Sequence, residues 1–201
     1  MTRSRTKTKD RATAREEICQ TAMKLFAEQG YQAVTMRAIA SQLGSSTMRT
    51  YRYFSSKHEI FASVREFALI ELAKALDAAT AGCGDSVDRL RTAFAAYADF
   101  SVSRPDEYAL AFEIFPDTAE GLSLDNQQTF RSWQICLAAA EASCLEGKLV
   151  GDPVVITHAL WCSVHGAIEL NRKGRLIFGM TFDQIIAFTL AAGIDHFRPR
   201  R

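Results

Sequence analysis

The sequence predicts an all-α chain of nine helices, on three observations. Apolar residues recur at spacings of three and four along almost its whole length. Ser, Thr or Asp opens most of these periodic stretches and glycine closes several of them. No run alternates apolar and polar residues for long enough to make a strand, and no internal repeat is evident. With 201 residues, 48% hydrophobic and 23% charged, and only 11 Gly and 4 Pro, the chain carries apolar mass for one or two packed domains. That composition excludes disordered, collagen-like and low-complexity classes.

The first helix is expected from Asp10 to Gln29, where Ile18, Ala22, Leu25 and Phe26 share a face and Gly30 stops the pattern. The second, Met36 to Leu43, follows Thr35 as N-cap and ends at Gly44. A third, Thr47 to Phe54, is too short to stand alone. Ser56-Lys-His-Glu59 has the form of a capping box and opens a fourth helix that runs to about Ala79, before Ala81-Gly-Cys-Gly84. Val87, Leu90, Phe94, Tyr97 and Phe100 mark the fifth, and Pro105 opens a sixth that closes before Pro116. Residues 117–124 read as a loop. The seventh, about Asp125 to Glu146, carries Phe130, Trp133, Leu137 and Cys144. Asp152-Pro153 reads as N-cap and N1 of the eighth, which ends in basic residues before Gly174. Thr181-Phe-Asp-Gln184 is a second capping box and opens the ninth, with Phe182, Ile185, Ile186, Leu190, Ile194 and Phe197.

Apolar stretches are broken by charge well before the roughly 20 residues of a membrane span, and the polar N-terminus has no apolar core of a secretory signal. The chain is therefore expected to be soluble and cytoplasmic. Cys19, Cys83, Cys136, Cys144 and Cys162 form no ligand spacing, and read as reduced core thiols. No metal or cofactor is expected. Charge is uneven: residues 1–60 hold 11 Lys and Arg against 5 Asp and Glu, whereas residues 61–201 hold 13 against 18. A basic N-terminal module facing a polyanion accounts for this, as does a merely solvated basic tail, because Arg3, Arg5, Lys7, Lys9 and Arg11 supply most of the excess.

Two short helices joined by Gly44-Ser-Ser46 fit a helix-turn-helix, whose second helix enters the major groove. The content of the second helix sharpens this, since Thr47, Arg49, Thr50, Tyr51 and Arg52 offer donors to phosphates and base edges while Phe54 anchors it in a core. Thr35 and Ser46, at the starts of the two helices, complete the candidate DNA-binding set with Arg37. The stretch Thr35-Met-Arg-Ala-Ile-Ala-Ser-Gln-Leu-Gly44, then Tyr51-Arg-Tyr-Phe-Ser-Ser-Lys57 and Ile60-Phe61, resembles the signature of the TetR family of one-component regulators over about residues 12 to 61. The nine-helix count agrees with that family along the rest. Ser45, Met48 and Thr50 depart from its usual apolar, small and aliphatic residues. The resemblance implies that Tyr51 and Lys57 contact phosphates, Lys57 at the start of the fourth helix among amides that also attract anions. Arg37, Arg49 and Arg52 remain open to base or phosphate contacts. Tyr51 is open to a packing role and Arg37 to simple solvation, and Tyr53 reads as support.

The domains expected are a disordered basic tail at 1–9, a DNA-binding domain at 10–56, and a ligand-binding and dimerisation domain at 57–201. One helix-turn-helix covers few base pairs, so two copies on a palindromic operator are expected. Val155, Ala159, Cys162 and Gly166 on the eighth helix, with Ile186 and Leu190 on the ninth, are the candidate homodimer interface, unless the small-residue row packs inside the subunit. Trp161-Cys-Ser-Val-His165-Gly166 resembles the Trp-x-x-x-His-Gly motif of a TetR subfamily named for those residues. Trp161 and His165 share a face with His158, and Phe94, Tyr97, Phe112, Phe115 and Trp133 come from other helices. These residues either line a pocket for a mainly apolar small effector or fill the core. His165 is open to ligand contact, structural hydrogen bonding or, with least support, metal binding. The leading reading is a ligand-responsive repressor released from double-stranded operator DNA by its effector. The alternatives are a DNA-binding regulator without a small ligand, and an enzyme using His165, His158 and Glu169 as acid and base.

Overall fold

In the computed structural model the described residues are 2–112 and 130–200, with side chains described from residue 11. Among them the chain forms nine helices and no strand: α1 (Thr2–Ala33), α2 (Met36–Gln42), α3 (Thr47–Tyr53), α4 (Lys57–Thr80), α5 (Ser86–Ser103), α6 (Pro105–Phe112), α7 (Arg131–Leu145), α8 (Pro153–Arg172) and α9 (Phe182–His196). No helix of the described residues is long and apolar enough to cross a membrane.

The local signals act where the sequence puts them. Gly30, at φ 76°, breaks the regular course of α1. Thr35 Oγ accepts from the Ala38 amide at 3.1 Å and so caps α2. At the other end of α2, the amides of Gly44 and Ser45 donate to Ser41 and Ala40, and Gly44 takes φ 61°. This pair of hydrogen bonds closes a helix around a left-handed conformation that glycine adopts without steric cost. The Ser45 hydroxyl adds a long contact to the Ala40 carbonyl at 3.5 Å. Asp152 accepts from the Val154 amide with Pro153 in the first turn of α8, and Thr181 and Gln184 complete their capping box on α9.

Two local expectations are corrected, and two more lie outside the described residues. α1 starts at Thr2 rather than Asp10; residues 2–9 contain no Gly or Pro to stop propagation from the amphipathic stretch that follows. The box at the start of α4 is only half formed. Ser56 Oγ accepts from the Glu59 amide at 3.1 Å, but the Glu59 carboxylate accepts from the amide and hydroxyl of Ser55, at 2.7 and 2.9 Å. The start of the seventh helix, expected at Asp125, and the loop 117–124 lie outside the described residues; α7 is described from Arg131.

The chain divides into two compact units. Unit one holds the residues up to Leu69 and a segment from Asp106; unit two holds Ile70–Pro105 and the part from Gln127 onward. The boundary expected between residues 56 and 57 would stand at the start of α4, whereas the two units part between Leu69 and Ile70, inside that helix. Ile60, Phe61 and Val64, all buried, belong to the core of unit one with Ile18, Phe26, Ile39, Phe54 and Leu110. The rings of Phe26, Tyr31 and Phe61 pack edge-on or tilted at 5.0 to 5.7 Å between centroids. In unit two α5 packs against α7, α8 and α9, and α7 and α9 also pack on α8. α9 packs on α8 at Gly193, where an added Cβ would stand 2.7 Å from Leu160 Cδ2.

Candidate nucleic-acid interface

α3 has seven residues and is marginal by itself, so its position is set by what it packs on. Phe54, its C-cap, is buried in the core of unit one, and Tyr53 packs against that core. Arg15 on α1 fixes this end. Its guanidinium lies 3.9 Å from the centroid of the Phe54 ring, donates to the Tyr53 carbonyl and pairs with Glu59 at 3.3 Å. The Ser55 amide, and then the Ser55 hydroxyl and Arg15, hold the Glu59 carboxyl below the usual carboxylate range. None of this network was expected from sequence. It joins residues 38 and 44 apart in the chain, and only the Ser-x-x-Glu spacing hinted at part of it.

The other end is capped by Ser46, whose Oγ accepts from the Arg49 amide at 3.3 Å. Between the caps, Met48, Arg49, Tyr51 and Arg52 are exposed, with Thr47 half-buried. Met48, at 76% exposure, is a surface residue that stood out in the sequence only as a departure from the usual small residue. Its signal was its place three and four residues before Tyr51 and Arg52, on one helix face. Thr50 is the correction. It is fully buried and its Oγ1 has no hydrogen-bond partner, so it points into unit one and cannot reach a nucleic acid.

Arg37 on α2 is exposed. Thr35 and Ser46 spend their hydroxyl oxygens on backbone amides, which leaves each hydroxyl hydrogen to be directed elsewhere. Lys57 donates to the Tyr31 carbonyl at 2.7 Å and sits 4.1 Å from the centroid of that ring. It is thus held at the first residue of α4. Arg49 pairs with Glu17 of α1 at 3.3 Å.

Unit two assembles a row of rings on α7 and α8. Trp133 contacts His158 (4.4 Å between centroids) and Trp161 (6.1 Å), and Trp161 contacts His165 at 6.1 Å. The row ends at buried Tyr97, whose hydroxyl meets His165 Nδ1 at 2.7 Å. Burial, above all, pushes the His165 pKa below its ordinary value. Four of the expected pocket residues, Tyr97, Trp133, Trp161 and His165, are therefore neighbours, and Phe94 is buried on α5. Phe112 is not among them. It packs in unit one with Tyr108, Ala68, Leu69 and Ala111, because α6 turns its aromatic side chains onto that unit. Phe115 lies outside the described residues.

The residues weighed for acid–base chemistry are engaged separately: His158 Nδ1 with the Val154 carbonyl at 2.8 Å, and Glu169 with Arg172 and Lys173. Among the described residues no three His, Cys, Asp or Glu side chains converge on a metal position. A cleft of about 180 Å³ lies elsewhere, between α1 and α4 of unit one, over Cys19, Met23, Val64 and Phe67. Burial pushes the Cys19 thiol up to about 11, so it stays protonated.

On α8, Val155, Ala159, Cys162 and Gly166 are all exposed, and an added Cβ at Gly166 would meet nothing within 4 Å. The row does not pack inside the subunit. Ile186 and Leu190, by contrast, are buried within unit two, so they cannot form an interface. The exposed apolar residues of α9 are Ala187, Phe188, Ala191 and Ala192, with Phe188 at 68% exposure.

Residues 18–64 match the model of the bacterial regulatory proteins of the tetR family, and residues 90–194 match the tetracyclin repressor-like C-terminal domain. The HTH-type transcriptional activator FasR of Mycolicibacterium smegmatis is 32% identical over 99 residues, which are 49% of this chain and 45% of that protein. The match thus spans less than half the length of that relative. The structure of a protein of unknown function from Rhodococcus sp. RHA1 resembles this one with a TM-score of 0.79 at 17% identity, over 92% of this chain and 96% of the other. SmeT, the repressor of the Stenotrophomonas maltophilia multidrug efflux pump SmeDEF, gives 0.69 at 20% identity, over 92% and 90%. At such identities the shared property is the fold.

Proposed function

The chain belongs to the TetR family of bacterial regulatory proteins, and from that premise we propose that it binds palindromic operator DNA as a homodimer in the cytoplasm. It represses by occluding a promoter, and a small, mainly apolar effector releases it. The observation that carries this reading is the outward face of α3, where Met48, Arg49, Tyr51 and Arg52 are exposed on a helix capped by Ser46 and anchored by Phe54. Arginines suit phosphates and guanine edges, and a methionine suits a thymine methyl. Thr35, Arg37, Ser46, Thr47 and Lys57 complete the surface as phosphate contacts.

The exposed row Val155, Ala159, Cys162 and Gly166 with Phe188 supplies a self-complementary helix face for the twofold. FasR is an activator and SmeT a repressor, so the sign of regulation rests on mechanism: a dimer seated on a promoter blocks polymerase without further parts. Trp133, Trp161 and His165 supply an apolar wall with one polar handle, in keeping with the Trp-x-x-x-His-Gly likeness. Effector binding acts through its differential affinity for the DNA-competent and incompetent states. A regulator without a small ligand has one observation in its favour, since Tyr97 and His165 already satisfy each other at 2.7 Å.

The test uses the purified protein to select genomic fragments, then screens metabolites for release of those fragments and measures transcription from them in vitro. Enrichment of a palindrome, repression and release by an apolar compound are expected. Enrichment of no fragment overturns the DNA reading, and repression that no metabolite relieves favours the ligand-free one.

A further inference from the structure

We propose that Glu17 of α1 is a positioning residue for sequence recognition, acting through Arg49 of the recognition helix; the inference rests on the DNA-binding reading above. Glu17 Oε2 and Arg49 Nη2 stand 3.3 Å apart, across 32 residues of chain. Both side chains are about half exposed, at 52% and 44%. Arg49 lies in the first turn of α3, its amide bonded to the Ser46 cap, and residues at that end of a recognition helix face base edges.

An exposed ion pair of this kind adds little to folding. Its consequence is conformational. A free arginine samples many rotamers and finds phosphates anywhere along a duplex, whereas a guanidinium with one nitrogen on a carboxylate of the neighbouring helix has fewer rotamers and fewer directions for its remaining donors. The choice of an acid for this place has a second effect. Residues 1–60 hold only 5 acidic side chains, and one of the others, Glu59, is bound to Arg15 and Ser55. A carboxylate at the edge of a DNA-facing surface repels phosphates on every sequence alike. It is compensated only where Arg49 finds a base that accepts its fork, which is discrimination by penalty as well as by contact. Glu17 therefore lowers affinity for all DNA and raises the ratio between the preferred duplex and any other.

Duplexes selected from a random library by the full-length wild-type protein provide the preferred probe, and a scrambled duplex of the same length the other. Both affinities are measured at fixed salt for wild type, Glu17→Gln, Arg49→Ala and the double variant. Glu17→Gln should tighten binding to the scrambled duplex and reduce the selectivity ratio roughly tenfold, with relaxed preference at one base position of a repeated selection. In the Arg49→Ala background the same change should leave the ratio where it is, a coupling that a merely structural Glu17 would not produce. Glu17→Asp should restore part of the ratio. An unchanged ratio in Glu17→Gln, or the same drop with and without Arg49, overturns the inference while leaving DNA binding intact. A wild-type protein that selects no duplex overturns the DNA reading and this inference with it.

Discussion

Lys57 is tied to Tyr31 twice, by a 2.7 Å hydrogen bond from its ammonium to the Tyr31 carbonyl and by the same ammonium standing 4.1 Å from the ring centroid. The first residue of α4 is thereby locked to the C-terminal end of α1, and the charge is held at a helix N-terminus instead of roaming on a four-carbon stem. Such preorganisation suits a phosphate contact.

Lys57→Ala should weaken binding to every duplex alike and lower the slope of log affinity against log salt by about 1, the release of one counterion. Tyr31→Leu keeps the charge and loses the ring, so it should lower thermal stability with the salt slope retained. A salt slope identical in Lys57→Ala and wild type would show that the residue is a latch and nothing more.

Thr50→Val should stabilise the protein by about 1 kcal/mol, because it replaces a buried hydroxyl that has no partner with a methyl of the same shape. Both residues are β-branched, so the backbone preference of α3 is unchanged. Urea unfolding measures the gain, and DNA affinity should be unaltered, since position 50 faces the core. A loss of DNA affinity at preserved stability would return Thr50 to the interface.

The capping residues and stop glycines were legible because they act within one turn of chain: Thr35, Ser46, Asp152 and Thr181 each bond amides two or three residues on. The exposed face of α3 was legible for most of its residues, since a helix carrying so many donors has no reason to be buried. Thr50 was not, because one polar residue in a seven-residue helix fits either side until its neighbours are known. α9 is apolar nearly all round, so its periodicity could not tell the buried Ile186 and Leu190 from the exposed Phe188. Phe112 and the Arg15 network depend on which helices meet, and that is decided by packing between segments far apart in sequence.

Gly166→Arg should leave the subunit folded and yield a monomer. A side chain at position 166 meets open space, yet it rises from the proposed twofold face. Sedimentation velocity should show half the wild-type mass and operator binding should weaken, with the far-ultraviolet dichroism unchanged. Gly193→Ala is the contrast: its Cβ would crowd Leu160, itself buried. The expected cost is roughly 1 to 3 kcal/mol of subunit stability. A wild-type protein that sediments as a monomer at micromolar concentration removes the dimer from the proposal.

His165 should make unit two less stable in acid. Burial is the main cause holding its pKa below the ordinary value, with Lys173 and Arg172 acting in the same direction and Glu169 against them. Between that lowered value and the ordinary one of about 6.5, the unfolded chain binds a proton that the folded chain refuses. More protons on the unfolded state mean that stability falls as pH drops from 7 toward 5, and that the contribution is fully recovered above the ordinary value. In wild type the imidazole at pH 7 is neutral and pairs with the Tyr97 hydroxyl at 2.7 Å. His165→Phe abolishes the titration, so the difference in urea midpoint between pH 7.5 and 5.5 should shrink in that variant. The same variant keeps a ring against Trp161 and loses the polar handle; it should bind DNA as wild type does and resist release by the effector. If His165→Phe retains the full acid sensitivity, the titrating group lies elsewhere. If it is released at the wild-type effector concentration, the ring row is core and the effector site is not there.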